Sequence, residues 1–317
     1  MKPSPFPSNP DSVVRPPTGR SVRRGSETGG IQGVPAAREV SSGWIEGYFQ
    51  SWDQAKIFFR FYPVAGARHT VVILHGYGEH SGRYEKFPEK MRGLAAQFAV
   101  MDLRGMGKSD GTRGDIGSFE DYLRDLSEFV AHLREKHSIS SKFILFGHSL
   151  GGLLALDWAM KNPAPVKLLI LSAPFLGFRF SRLVISVNRL LRLFAPQFIY
   201  KNLIRSRTLS HDPVEIAIHR KDPLILRQMS SRLISEIAES MSRIARQPVL
   251  SVPFPIHMMI PGKELVVDPE ASRRFFERVV CPRKERTIFE GFFHEPFHEQ
   301  DQQRAFNVLK TIIEDCV

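Results

Sequence analysis

Phe143-Ile144-Leu145-Phe146-Gly147-His148-Ser149-Leu150-Gly151-Gly152 is the stretch that decides the architecture. Four consecutive apolar residues ending at Phe146 read as a short strand buried on both faces. Leu150–Lys161 reads as a helix. Ser149 therefore sits on a sharp strand–turn–helix connection, where side chains at 147 and 151 would clash and glycine is required at both. Such a turn lifts Ser149 above the carboxyl edge of a sheet, at a helix N-terminus that favours a developing oxyanion. A bare G-x-S-x-G recurs by chance; the strand before it and the helix after it make this one informative.

Working outward, similar apolar runs recur at Val71–Leu74, Phe98–Met101, Leu168–Leu171, Ile256–Ile260 and Thr287–Phe289. Ile57–Phe61 and its neighbours predict an antiparallel hairpin ahead of them. Helices are predicted between them, at Phe119–His137, Leu150–Lys161, Pro269–Val279 and Gln302–Ile313. In the first, Tyr122, Leu126, Val130 and Leu133 form an amphipathic stripe. Strand–helix alternation with buried strands predicts an α/β fold, a mostly parallel central sheet with helices on both faces. Residues 175–250 break the alternation. They read as helical throughout, without a strand-like run, and so as an inserted helical cap over a core made of 41–174 and 251–317. Residues 1–40, rich in Pro, Gly, Ser and Arg, predict a disordered basic tail.

A serine hydroxyl needs a base, and the base an orienting acid, in the chain order Ser, acid, His for this arrangement. Both partners should follow late strands. Glu290-Gly291-Phe292-Phe293-His294 follows Thr287–Phe289, which makes His294 the base, with His298 as its rival. Pro261-Gly262-Lys263-Glu264-Leu265-Val266-Val267-Asp268 follows Ile256–Ile260 and offers Glu264 as the acid. Asp268 is the alternative, but before Pro269 it resembles a helix N-cap. Backbone N–H groups for an oxyanion come from Leu150 and from Tyr77, in a glycine-rich loop where His75 and His80 read as braces.

His75-Gly76-Tyr77-Gly78-Glu79-His80-Ser81-Gly82-Arg83-Tyr84, the serine turn and Gly291-Phe292-Phe293-His294 together resemble the monoglyceride lipase and lysophospholipase branch of the α/β-hydrolases. Asp102–Ser109 and Leu209–Leu224 are similar to its other blocks, and the likeness runs from about residue 43 to the C-terminus. It implies hydrolysis of a lipid ester with one acyl chain, without a cofactor. It supports Tyr77 and Leu150 as oxyanion donors, and implies that Arg83 and Glu215 read a headgroup at the polar end of the site. The chain departs from the pattern in having Glu264 where Asp is usual, and in a second histidine offset by one, at His298.

The formal net charge of +11 is localised: 13 basic and 5 acidic residues fall in 175–250, and 6 basic and 3 acidic in 1–40, leaving the rest neutral. Arg179, Arg182, Arg189 and Arg192 share one side of a basic amphipathic helix, a pattern suited to an anionic membrane surface. Nucleic acid is not an expected partner, since no aromatic–basic interleaving accompanies the charge. Gly107-Lys108-Ser109 is no phosphate loop, because the pattern needs glycine where Asp102 stands. No metal-ligand spacing appears, and Cys281 and Cys316 make no disulfide framework, which points to a cytoplasmic protein. No apolar run reaches the roughly 20 residues of a membrane span, and no signal peptide is expected. Short-chain carboxylesterase and proline-iminopeptidase-like activity share the same frame, and a non-catalytic adaptor is the reading outside enzymes.

Overall fold

The computed structural model describes residues 37–40, 42–179, 182–201, 203–247 and 249–316, with residues 182–186 described by their backbone alone. Residues 1–32 and 33–317 separate as two units, and every described residue belongs to the second. The predicted tail thus lies outside the described residues as far as position 36. Its last part is corrected: Arg38–Glu39 pair with Ile45 and Glu46 as an edge strand.

In chain order the strands are β1 (Arg38–Glu39), β2 (Ile45–Gln50), β3 (Lys56–Tyr62), β4 (His69–Leu74), β5 (Ala96–Met101), β6 (Phe143–His148), β7 (Val166–Ser172), β8 (Ile199–Lys201), β9 (Gln228–Ser230), β10 (Leu250–Ser251), β11 (Ile256–Pro261), β12 (Val279–Val280) and β13 (Lys284–Phe289). The helices are α1 (Phe87–Lys90), α2 (Phe119–His137), α3 (Leu150–Lys161), α4 (Arg182–Phe194), α5 (Pro213–Lys221), α6 (Ser231–Ala245), α7 (Pro269–Arg278) and α8 (Gln302–Glu314). A nine-stranded sheet runs in the order β1-β2-β3-β5-β4-β6-β7-β11-β13. The pairs from β1 to β5 are antiparallel. From β5 through β4 to β13 the pairs are parallel. The chain steps from β4 out to β5 and returns to β6 on the other side of β4, so ligand-binding loops gather where β4 and β6 end.

The central strands are apolar on both faces because both are covered. Val72 and Leu74 of β4 join one buried cluster with Leu126 of α2 and Leu154 of α3, whereas Val71 and Ile73 join another with Phe87 of α1 and Phe306 of α8. The predicted stripe of α2 is buried as expected. Ser118 starts that helix by accepting from Glu120 N, while Asp121 returns a carboxylate to Ser118 N, satisfying donors that a helix start leaves unpaired.

Between β7 and β11 run α4, α5 and α6, but this segment is not helical throughout. β8 and β9 pair antiparallel within it, Ile199 opposite Ser230 and Lys201 opposite Gln228. Three residues per strand are too few for a period-2 pattern to stand out among helices.

Candidate active site

Ser149 lies between the last residue of β6 and the first of α3, with φ 50° and ψ −115°, a conformation that strains an L-residue. The neighbouring glycines hold it there. A Cβ at Gly147 would stand 2.3 Å from the Gly151 carbonyl oxygen, and one at Gly151 would stand 2.2 Å from that of Leu74. Any side chain at either position would therefore push the turn apart.

His294 arrives on the loop after β13, and Glu264 on the loop after β11. His294 Nε2 is 2.9 Å from Ser149 Oγ, and its Nδ1 is 2.8 Å from Glu264 Oε2. The other carboxylate oxygen of Glu264 accepts from Val266 N at 2.6 Å and Val267 N at 3.2 Å, which fixes the longer side chain in place. Asp268 stands apart from this line; it caps α7, accepting from Glu270 N at 3.0 Å. His298 is also elsewhere, its Nε2 donating to the Arg83 carbonyl at 3.1 Å. Ser149 is 4% exposed and His294 2%, so the line is shielded from water.

Burial pushes the His294 pKa down, but the Glu264 carboxylate beside it, joined by Glu295 and Glu79, outweighs burial and holds it above the ordinary histidine value. Reciprocally, burial raises Glu264, and His294 with the Val266 and Val267 amides more than offsets this, so it lies below the usual carboxylate range. His148, with its ring centroid 5.0 Å from that of His294, is driven down to about 3 by burial first and then by His294. It is neutral near neutral pH and does not compete for the proton. The arrangement can take a proton from Ser149 and stabilise the imidazolium that results.

Tyr77 and Ser149 line one cavity of about 30 Å³, closed over by the segment between β7 and β11 with Leu203, Leu226 and Met229 beside His219, Arg227 and Gln228. The Tyr77 hydroxyl donates to the Gln228 carbonyl. Leu150 is fully buried as the first residue of α3. His75 accepts from Leu103 N at 2.9 Å, and His80 pairs with Asp222 at 2.8 Å, so both brace their loop.

Arg83 is buried between two carboxylates, bonding to Glu295 and lying 3.6 Å from Glu79. Glu215 pairs with Lys86. Glu79 and Glu295 line the cavity with Ser149, and sequence reasoning did not single them out. The signal available was Arg83 itself, since a buried guanidinium requires carboxylates and Glu79 stands four residues before it. Glu79, His148 and Glu295 also place ligand-type atoms within 4.8 Å of one another, but Arg83 already supplies the positive charge there.

The largely parallel sheet, its helices on both faces and the serine at the end of β6 define an α/β-hydrolase. The chain belongs to the Hydrolase_4 family, described as "Serine aminopeptidase, S33", whose pattern it matches over residues 65–301. It is similar to the monoglyceride lipase of Homo sapiens, 29% identical over 76% of this chain and 80% of that protein. It is also similar to phospholipase YtpA of Bacillus subtilis, 26% identical over 80% of this chain and 97% of that protein. Among solved structures, the monoacylglycerol lipase of Paleococcus ferrophilus superposes with a TM-score of 0.74 at 26% identity, covering 82% of this chain and 99% of that one. The uncharacterized protein YnbC of Escherichia coli is matched over only 46% of its own length. Among the described residues, no helix is long and apolar enough to cross a membrane.

Proposed function

We propose that this chain hydrolyses the carboxylic ester of a single-chain lipid, a monoacylglycerol or a lysophospholipid, through an acyl-enzyme. The observation that carries the reading is the hydrogen-bonded line Glu264–His294–Ser149, with Ser149 and His294 in a cavity lined by Leu203, Leu209, Leu226 and Met229 among other residues. Ser149 Oγ attacks the ester carbonyl carbon as His294 Nε2 takes its proton. The Tyr77 and Leu150 amides face the oxyanion, the residues where donors aimed at the transition state are worth most. Collapse breaks the ester C–O bond, and His294 returns the proton to the departing alcohol. Water then attacks the acyl-enzyme with His294 again as base, releasing the fatty acid and restoring Ser149. Glu264 holds the imidazole in its working tautomer throughout.

A cavity of about 30 Å³ admits little more than a water molecule, so a fatty chain enters only when the roof shifts. We treat residues 175–250 as that movable cap, over a core of 41–174 and 251–317. Its α4 carries Val187, Leu190, Leu193 and Phe194 exposed to solvent, a surface suited to resting on lipid. Arg189 is exposed beside them. Arg179 instead bonds to the Glu264 carbonyl, Arg192 pairs with Glu236 at 2.8 Å, and the side chain of Arg182 lies outside the described set.

The family's aminopeptidase description supplies the second reading. An aminopeptidase needs a carboxylate to receive a free α-amino group, yet Glu79 and Glu295 both face Arg83 already. The test is parallel turnover of a long-chain monoacylglycerol, a lysophospholipid, a short-chain ester and a prolyl amide. Long-chain release that falls by about 10⁴-fold or more in Ser149→Ala is the expected result. Turnover of the prolyl amide alone would replace the lipid reading with the peptidase one, and no serine-dependent turnover at all would leave the adaptor.

A further inference from the structure

We infer that the outer side of the cap carries an anion-binding site for a phosphate-type group, next to the cavity over Ser149. A depression of about 350 Å³ is lined by Arg205, Arg207, Arg220 and Arg227 together with Ser206 and His219, and by no carboxylate among the described residues. Elsewhere in this segment three arginines are neutralised, Arg192 by Glu236, Arg232 by Asp115 and Arg243 by Asp157. Arg205, Arg207 and Arg220 are exposed and form no ion pair among the described residues. Four of the segment's arginines thus share one hollow that holds no counter-charge among the described residues.

Arg227 is held in place by its own hydrogen bonds, donating to the carbonyls of His219 at 2.9 Å and Arg220 at 2.8 Å. Ser206 Oγ lies 3.0 Å from His219 Nδ1, which joins the two walls of the depression. Four guanidinium groups around one hollow repel each other, and a dianion that accepts from several of them relieves that repulsion. Guanidinium forks match the geometry of phosphate oxygens, whereas a lone ammonium would offer only a point charge.

Position gives the site its use. Ile204, His219 and Arg227 line both this depression and the cavity that holds Ser149 and His294. An anion seated on the arginines is therefore separated from that cavity by residues that line both. A single-chain ester whose alcohol carries a phosphate would place its ester at Ser149 and its phosphate here. That substrate role rests on the hydrolase reading above, whereas the anion site does not. Free inorganic phosphate offers the same chemistry from another source.

The experiment uses the full chain and the double variant Arg207→Glu with Arg220→Glu, with Arg207→Gln/Arg220→Gln as a second variant should reversal disturb folding. Equilibrium dialysis with inorganic phosphate measures the site directly. A matched pair, a monoacylglycerol and the same molecule phosphorylated on its free primary hydroxyl, measures its use at constant ionic strength. The wild-type chain is expected to retain phosphate, and the variants to lose it. The kcat/KM ratio of phosphorylated to neutral substrate should fall about tenfold or more, as expected for removing two charge-assisted hydrogen bonds. Loss of phosphate retention with an unchanged ratio supports the site and assigns it to free phosphate. Equal retention by wild type and variants, with an equal ratio, overturns the proposal. Should neither substrate turn over in the wild type, the hydrolase reading fails while dialysis still decides the site.

Discussion

Ser149 shows how one residue's strain is set by its neighbours: its positive φ persists because Gly147 and Gly151 let β6, β4 and α3 crowd around it. The acid of the line is testable with equal sharpness. On the proposed mechanism activity requires neutral His294, so kcat/KM should rise with pH through the His294 pKa, which Glu264, with Glu295 and Glu79, holds above the ordinary value. In Glu264→Gln the largest of those supports is removed against the same burial, so the acid limb of the pH profile should move to lower pH. The same change should lower kcat by about 10⁴-fold, the scale seen when an orienting carboxylate becomes an amide. Asp268→Ala should leave the acid limb in place and cost about 1 kcal/mol of stability, as loss of an N-cap does; a pH titration of kcat/KM beside a urea melt separates the two residues.

Among the elements, α2 carries a pH sensitivity of its own. His132 and His137 pack against Phe49, Phe59 and Phe61, and the Nε2 of each has no hydrogen-bond partner. Burial drives the His132 pKa down to about 4, with His137 adding to it, and burial lowers His137 as well. Below the usual histidine pKa of about 6.5 the unfolded chain takes up protons that the folded chain refuses. Stability is therefore full above that value and should fall as pH drops towards 4. His132→Phe should flatten the decline in urea midpoint between pH 7 and pH 5, and an unchanged slope would locate the effect elsewhere.

The elements of the cap are tied to both working loops. Asp268 N donates to the Gly177 carbonyl at 2.9 Å, Phe178 bridges Val267, and Arg179 bonds to the Glu264 carbonyl. Leu226 N donates to the Gly78 carbonyl at 2.9 Å, beside Tyr77. Arg179→Ala should lower kcat by about tenfold or more with KM little changed, because one hydrogen bond to a charged group contributes about 1.5–3 kcal/mol. Arg179→Lys should recover part of the loss. A drop in vesicle binding without a drop in kcat would instead return Arg179 to the lipid-facing role that helical spacing suggested.

For the molecule as a whole, the same segment turns apolar side chains outward at α4 and gathers arginines beside the active-site cavity. Leu193 is 75% exposed and Phe194 81%, in a chain whose other large apolar residues are mostly buried. Each such side chain transferred into lipid contributes about 1.5–3 kcal/mol. Leu193→Asp with Phe194→Asp should therefore weaken sedimentation with anionic vesicles by about 100-fold or more, read against turnover of a water-soluble short-chain ester. Equal sedimentation would move the lipid contact off α4.

Much of this is legible in the amino-acid sequence alone. The buried runs, the strand–turn–helix around Ser149 and the placing of His294 and Glu264 after late strands follow from local rules: backbone sterics, side-chain periodicity and the need for glycine in a crowded turn. Asp268 likewise caps a helix as its place before Pro269 suggests. Features that depend on distant partners were not legible. β8 and β9 are three residues each and exist only because they meet, and the turn back onto Ile45 makes Arg38–Glu39 a strand rather than a tail. Glu295 reaches Arg83 across 212 positions of chain, and Arg192 finds Glu236 across a helix pairing. A helical wheel places charge on a face but not against its partner. Which arginines are neutralised and which are left around the cavity is therefore settled only when α4, α5 and α6 pack.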